Sequence, residues 1–208
     1  MRSSEALRFP PVAGQRVERV ASAPLPTRHG QFDLHVYREA DSGIEHVALV
    51  AGEVARQQEV LVRLHSECLT GDVFGSSRCD CGEQLQRSQQ LIADAGLGVV
   101  VYLRGQEGRG IGLANKIRAY HLQDQGLDTV EANLALGLPV DGRRYDAAIA
   151  ILHDLQVRSV QLLSNNPDKL QCLAESGFAP SQQPLRMVAG PHNQHYLDTK
   201  RVKLGHWL

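Results

Sequence analysis

The stretch VLVRLHSECLTGDVFGSSRCDCGEQL (60–85) decides how the rest of the chain is read. Its first eight residues, VLVRLHSE (60–67), have the content of a strand. Three cysteines follow, and the chain enters CGEQLQRSQQLIADAG (81–96), where Leu85, Leu91, Ile92 and Ala95 share one helical face and Gly96 supplies the stop. Next comes GVVVYLR (98–104), a short apolar run of the kind buried strands show. Strand, helix and strand in that order predict an α/β unit.

Upstream, FDLHVY (32–37) alternates apolar with polar residues, and HVALVAGEV (46–54) is a further strand candidate. Residues 1–20 read as a loosely held leader broken by Pro10, Pro11 and Gly14. Downstream, LANKIRAYHLQDQG (113–126) and RRYDAAIAILHDLQV (143–157) have helical periodicity. SVQLLSNN (159–166) reads as a strand, and PDKLQCLAESG (167–177) as a short helix with Pro at its start and Gly at its end. Beyond Gly177 the pattern weakens. The expectation is one α/β domain with mixed sheets, flanking helices and a more antiparallel N-terminal portion.

Lys and Arg total 22 against 23 for Asp and Glu, a formal net charge of −1. That argues against a protein that coats nucleic acid or an anionic membrane. The N-terminus lacks the apolar core of a secretory signal, and no run approaches the roughly 20 apolar residues of a membrane span. A cytoplasmic setting follows as the expectation, and thiols stay reduced there. A tight cysteine cluster is then more readily metal-binding or catalytic than disulfide-forming.

Three of the four cysteines, Cys68, Cys79 and Cys81, fall within fourteen residues in the spacing C-x10-C-x-C. Zinc suits such a set because it accepts soft thiolates without a redox preference. Three protein ligands leave one position open for water, the pattern of a catalytic zinc. Two alternatives stay open: a closed structural site with His65 or Asp80 as fourth ligand, and small buried hydrophobes without metal. Cys172 reads as a core residue. The HSE triplet (65–67) before Cys68 is placed to move protons near a metal-held water. It resembles the H-x-E of zinc nucleobase deaminases, but the P-C-x-x-C of that group is absent.

RGQEGRGIGL (104–113) carries glycines at 105, 108, 110 and 112 between strand and helix. There backbone N–H groups and Arg104 or Arg109 are suited to hold a phosphate, though a tight turn explains the glycines equally well. It matches neither the dinucleotide nor the P-loop pattern, and NKIR (115–118) is not the guanine-reading N-K-x-D.

Taken together, RLHSECLTGD, RCDCGEQL, RGQEGRGIGLANKIRAYHLQDQGLDTVEAN, LLSNNPDK and HYLDTK, in this order from about Val20 to Leu208, resemble GTP cyclohydrolase II of riboflavin biosynthesis. The resemblance implies that family's fold over a catalytic domain at 21–208. It also implies the stand-alone form, since only a short leader precedes the match. The implied activity opens the guanine imidazole ring of GTP, releasing C8 as formate together with pyrophosphate.

By position, the resemblance implies Cys68, Cys79 and Cys81 as ligands of one Zn²⁺. Arg63, Leu64, His65, Ser66, Glu67, Gln84, Glu107, Gly108, Arg109, Thr129, Ser164 and Lys169 fall on GTP-contacting positions. Tyr120 matches an active-site tyrosine near the purine, Glu67 a group beside the metal, Asp141 a general base and Arg143 a nucleophile toward the α-phosphate. Mg²⁺ is implied with GTP, and a homodimer as the assembly; neither nucleic acid nor a membrane is implied as partner. Guanidinium is protonated at neutral pH, so Asp141 would have to polarise Arg143 for that last role.

The chain departs from the family pattern at Gly142, where Glu is common between Asp141 and Arg143, and a loosened loop is the expectation. Ser164 replaces a usual Thr and keeps the hydroxyl, and Gln106 stands at a position shared by His and Gln. His121, His153 and His206 read as ordinary structural or surface residues. Two alternatives to the cyclohydrolase reading are another zinc-dependent nucleotide hydrolase or deaminase, and a non-catalytic zinc protein that binds nucleotide.

Overall fold

A computed structural model describes residues 17–187, 190 and 193–207. Seven strands form one mixed sheet in the order β1-β2-β3-β5-β4-β6-β7. β1 (Val17–Thr27), β2 (Gly30–Glu39), β3 (Glu45–Ala51) and β5 (Gly98–Leu103) pair antiparallel, whereas β4 (Val60–Ser66), β6 (Val160–Leu163) and β7 (Pro180–Gln183) join β5 as a parallel half. The α/β class, the mixed pairing and the antiparallel N-terminal portion are as the sequence predicts.

Strand alternation divides the core into two layers. Val60, Val62 and Leu64 of β4 point with Val99, Val101 and Leu103 of β5 toward Ile151, Leu152 and Leu173. Those three come from α6 (Asp146–Asp154) and α7 (Pro167–Glu175). Leu61 and Val100 point the other way, against Ile92 of α2 (Cys81–Ala95). Period two therefore sends Arg63 and His65 to the α2 face and Leu64 to the opposite core.

Several predicted bounds shift. Helix α6 begins at Asp146 rather than Arg143, because residues 143–145 form an irregular approach whose Arg144 carbonyl accepts from Gln106 of the glycine-rich loop. Val17–Val20, assigned from sequence to the leader, open β1; residues 1–16 lie outside the described residues. β1 escapes a pattern reading because it is mostly exposed and carries Pro24 and Pro26. Helix α5 (Thr129–Ala135) also went unread, although Asp128 and Glu131 form a capping box at its start. β7 and α8 (Gln194–Leu204) fall where the sequence pattern weakens.

The parallel strands decide where a site can form. β4 is flanked by β5 on one side and β6 on the other, so the chain leaves its C-terminal end at a switch of direction. Open α/β sheets bind ligands in the crevice outside such strand ends. The cysteine segment leaves β4 there, the glycine-rich loop leaves β5, and Ser164–Asn166 leaves β6.

Candidate active site

A cleft opens at these strand ends. One wall is the cysteine segment. Cys68 follows β4, α1 (Leu69–Asp72) turns the chain, and Cys81 is the first residue of α2. All three sulfurs lie within 4.8 Å of one another, with Cys68 Sγ and Cys79 Sγ 3.7 Å apart. Tetrahedral zinc with Zn–S of about 2.3 Å requires S···S edges of about 3.8 Å, so the donor set fits that ion. Neither His65 nor Asp80 joins the sulfurs: His65 Nε2 lies 3.0 Å from Asp72, and Asp80 accepts from Gln84 Nε2 and Lys200 Nζ at 2.6 Å each. The closed four-ligand alternative therefore has no fourth ligand among the described residues, and all three cysteines face the cleft. Cys172 packs against the core, away from them.

Two glycines bring the cysteine-bearing segments together. A Cβ on Gly82 would lie 2.2 Å from the Gly71 carbonyl oxygen, and one on Gly71 would lie 2.9 Å from Cys79 Sγ. Asp72 fixes the turn between them: its Oδ2 accepts from the Cys68 N–H at 3.0 Å and the Tyr102 hydroxyl at 2.8 Å. His65, stacked on Tyr102 and 1% exposed, is held neutral by its burial. Hydrogen bonding from Cys79 and Cys81, helped by Lys116, keeps the Cys68 thiol far below its ordinary pKa, and Cys68 in turn raises both partners.

Cations crowd the same cleft: Arg63, Arg109, Lys116, Arg143, Lys169 and Lys200 line it with one carboxylate, Glu67, and Lys116 stands beside the sulfurs, its Nζ 3.1 Å from Cys68 Sγ. Lys169 is 4% exposed and donates to the Leu64 carbonyl at 2.7 Å. Burial, then Arg63, Arg143 and Lys200, drive its pKa well below that of an ordinary lysine. Arg63 donates to the Leu163 carbonyl at 2.9 Å and to Gln84 Oε1 at 2.6 Å, and burial lowers its pKa also. Arg109 sits at φ +64° beside Gly108 at φ +61°, a left-handed pair that turns its side chain inward. Both terminal nitrogens of Arg109 are buried and meet no hydrogen-bond partner among the described residues. Cations crowded and desolvated in this way are stabilised when an anion joins them.

Asp141 and Arg143 form a bidentate pair, with Arg143 Nε donating to the two carboxylate oxygens at 2.9 and 3.1 Å. Burial opposes the charge on Arg143, but Asp141 outweighs it and holds the guanidinium pKa above its usual value. Arg143 faces the cleft and Asp141 stands behind it. Gly142 does not loosen this loop. Its N–H donates to the Arg109 carbonyl at 2.9 Å, and Gln106 bridges Ser66 Oγ, at 2.7 Å, to the Arg144 carbonyl. A Cβ at Gly142 would meet only ordinary contacts of 3.5 and 3.6 Å.

The remaining sequence candidates divide by placement. Ser66, Gln84, Gly108, Tyr120, Thr129 and Ser164 line the cleft, and Glu67 does so with Oε2 accepting from the Gly105 N–H at 2.7 Å. Burial pushes the Tyr120 hydroxyl up to about 12. Leu64 offers only main chain, since its side chain is in the core. Glu107 is turned toward Lys116, and Arg104 lines a second hollow. Sequence reasoning missed Lys116, Tyr196, Lys200 and His206, all of which line the cleft. His206 corrects its reading as ordinary: burial, then Lys200, Arg143, Lys169 and Arg109, lower its pKa to about 3. HYLDTK was a legible signal for Tyr196 and Lys200; His206 had none.

The sequence model of a family described as GTP cyclohydrolase II matches residues 18–182. The chain is 54% identical over 192 residues to GTP cyclohydrolase-2 of Acinetobacter baylyi, covering 91% of this chain and 96% of that protein. It is 55% identical over 195 residues to the riboflavin biosynthesis protein RibBA of Salinispora tropica, covering 93% of this chain. It spans about half the length, 49%, of that RibBA relative. Among solved structures it is similar to RibBX, a two-domain 3,4-dihydroxy-2-butanone 4-phosphate synthase from A. baumannii, with TM-score 0.48, 23% identity, and coverage of 85% of this chain and 42% of that one. With this match extending from the first described strand to the last, the chain belongs to the GTP cyclohydrolase II family.

Proposed function

We propose that this protein hydrolyses GTP at the guanine imidazole ring, releasing formate and pyrophosphate. The product is 2,5-diamino-6-ribosylamino-4(3H)-pyrimidinone 5′-phosphate, in the first committed step of riboflavin biosynthesis. One observation carries the reading: a zinc-sized trio of sulfurs and six cationic side chains share a single cleft. A purine beside the sulfurs then has its phosphates within a cleft lined by cations.

A zinc ion, which Cys68, Cys79 and Cys81 would hold, would supply Lewis acidity for activating water. The chain's own residues do the rest. Arg63, Arg109, Lys169 and Lys200 receive the negative charge that grows as pyrophosphate departs. Magnesium enters with the triphosphate as part of the substrate. Tyr120, protonated at neutral pH, offers a hydroxyl donor beside the sulfurs. Ser66 and Gln106 tie the end of β4 to the loop carrying Arg143. For Arg143, the Asp141 pairing favours a charged clamp on the α-phosphate over a nucleophile, since the pair strengthens the protonated form. A homodimer and a cytoplasmic setting are part of the same proposal, and sedimentation of the purified protein tests the first. Among the described residues no helix is long and apolar enough to cross a membrane.

The test is incubation of zinc-quantified protein with GTP and Mg²⁺, with separate assays for formate, pyrophosphate and the pyrimidinone phosphate. All three products, abolished together with zinc in Cys79→Ser, support the reading. Ammonia in place of formate would indicate a deaminase, and no product from folded, zinc-loaded protein would overturn the proposal.

A further inference from the structure

The glycine-rich loop does two things at once. Arg109 points into the cleft, whereas Glu107, two residues earlier, points at the cysteine segment. Glu107 is 6% exposed, and both its oxygens are engaged: Oε1 accepts from Lys116 Nζ at 2.5 Å and Oε2 from the Leu69 N–H at 2.6 Å. Lys116, from α4 (Leu113–Asp124), is equally committed. Its ammonium has three protons to donate, and three acceptors surround it: Glu107, Thr70 Oγ1 at 2.8 Å and Cys68 Sγ at 3.1 Å. Both oxygens of Glu107 and all three protons of Lys116 are thus engaged at the cysteine segment. Among the described residues Lys116 is the cation whose nitrogen comes within hydrogen-bonding distance of a cluster sulfur.

We infer that Lys116 and Glu107 are positioning residues of the metal centre. Lys116 gives Cys68 Sγ a charge-assisted hydrogen bond that holds it in ligating orientation. Glu107 anchors that ammonium and the start of α1, and so serves the metal instead of the substrate contact that the resemblance implies. The left-handed turn makes this arrangement, because a Cβ at Gly108 would lie 3.0 Å from the Lys116 Cβ. Groups that orient metal ligands from the next layer out are worth about 10- to 100-fold in metal affinity. The inference rests on the zinc reading above.

The test is zinc affinity, measured by competition with a chromophoric chelator on zinc-loaded full-length protein. Lys116→Met is expected to weaken zinc binding about 10- to 100-fold. Glu107→Gln is expected to weaken it less, and the double variant to lose less than the sum, since removing both leaves no uncompensated buried charge. In cobalt-substituted protein the sulfur-to-metal charge-transfer band should shift in Lys116→Met. Should that variant fail to fold, Glu107→Gln decides: its zinc affinity falls while the affinity of zinc-saturated protein for GTP holds within about threefold of the parent value. The opposite pattern, GTP affinity lost and zinc affinity kept, would overturn the inference, as would parent-like zinc affinity in folded Lys116→Met. Parent protein that takes up no zinc would sink the zinc reading itself.

Discussion

Gly71→Ala tests the metal centre without touching a ligand. The added methyl would stand 2.9 Å from Cys79 Sγ and 3.2 Å from both Cys68 Sγ and Cys81 Cβ. Heavy atoms in good contact sit about 3.5–4.0 Å apart, so Cys79 Sγ has to retreat by at least about 0.6 Å. Metal–ligand distances tolerate about 0.2 Å, a third of that displacement. The alternative, moving α1 away, would part the close packing of the Gly71 carbonyl on Gly82. Zinc affinity should therefore fall at least as far as removal of an orienting group takes it, about 10- to 100-fold. Backbone strain is not a competing explanation. Gly71 lies in α1 outside the left-handed region, where alanine is favoured over glycine by about 0.5–1 kcal/mol. The assay is zinc per chain after dialysis against graded chelator, with melting curves with and without zinc. The metal-free melting temperature should hold or rise, and the increment that zinc confers should shrink. Gly142→Ala, which meets only ordinary contacts, is the control. Parent-like zinc binding by Gly71→Ala would refute the packing argument.

Other outcomes follow from the same geometry. Arg109→Gln removes a buried guanidinium whose terminal nitrogens meet no partner, so protein stability should hold while GTP affinity falls about 10- to 100-fold by calorimetry, the worth of a hydrogen bond to a charged group. His206 should titrate near 3 by NMR in the free protein and move upward when pyrophosphate offsets Lys200, Arg143, Lys169 and Arg109. Because its folded value lies below 6.5, its contribution to stability is complete above pH 6.5 and is lost as pH falls toward 3; His206→Gln should flatten that limb of the stability profile. Tyr37→Phe leaves Asp154 without the 2.7 Å hydroxyl donor that ties β2 to α6, at a cost of about 1 kcal/mol, and should lower the melting temperature by about 2–4 °C.

The glycine-rich loop explains why a single-purpose reading of that motif falls short. From sequence, its four glycines are compatible with a phosphate cradle or with a tight turn. The structure shows the tight turn: Gly108 and Arg109 are left-handed, and the turn presents Arg109 to the cleft and Glu107 to Lys116. Arg104, the other candidate for phosphate, faces a different hollow because it lies on the far side of that turn.

The sequence by itself determined the elements that carry periodicity and the cysteine cluster that carries spacing. Buried strands β4 and β5 and helix α2 were legible because burial on one or both faces imposes an apolar pattern on them. The three cysteines were legible because thiols so close in a short segment have few other uses. β1 was not, since an exposed strand with prolines pairs through its backbone, which leaves little trace in side-chain pattern. Only the tertiary structure decided that α8 lines the cleft, that His206 joins the cations there, and that Leu64 turns into one core layer while Arg63 and His65 turn to the α2 face. It also decided that Glu107 faces Lys116. These are matters of which groups from distant parts of the chain share a small volume, where desolvation and neighbouring charge set what each can do.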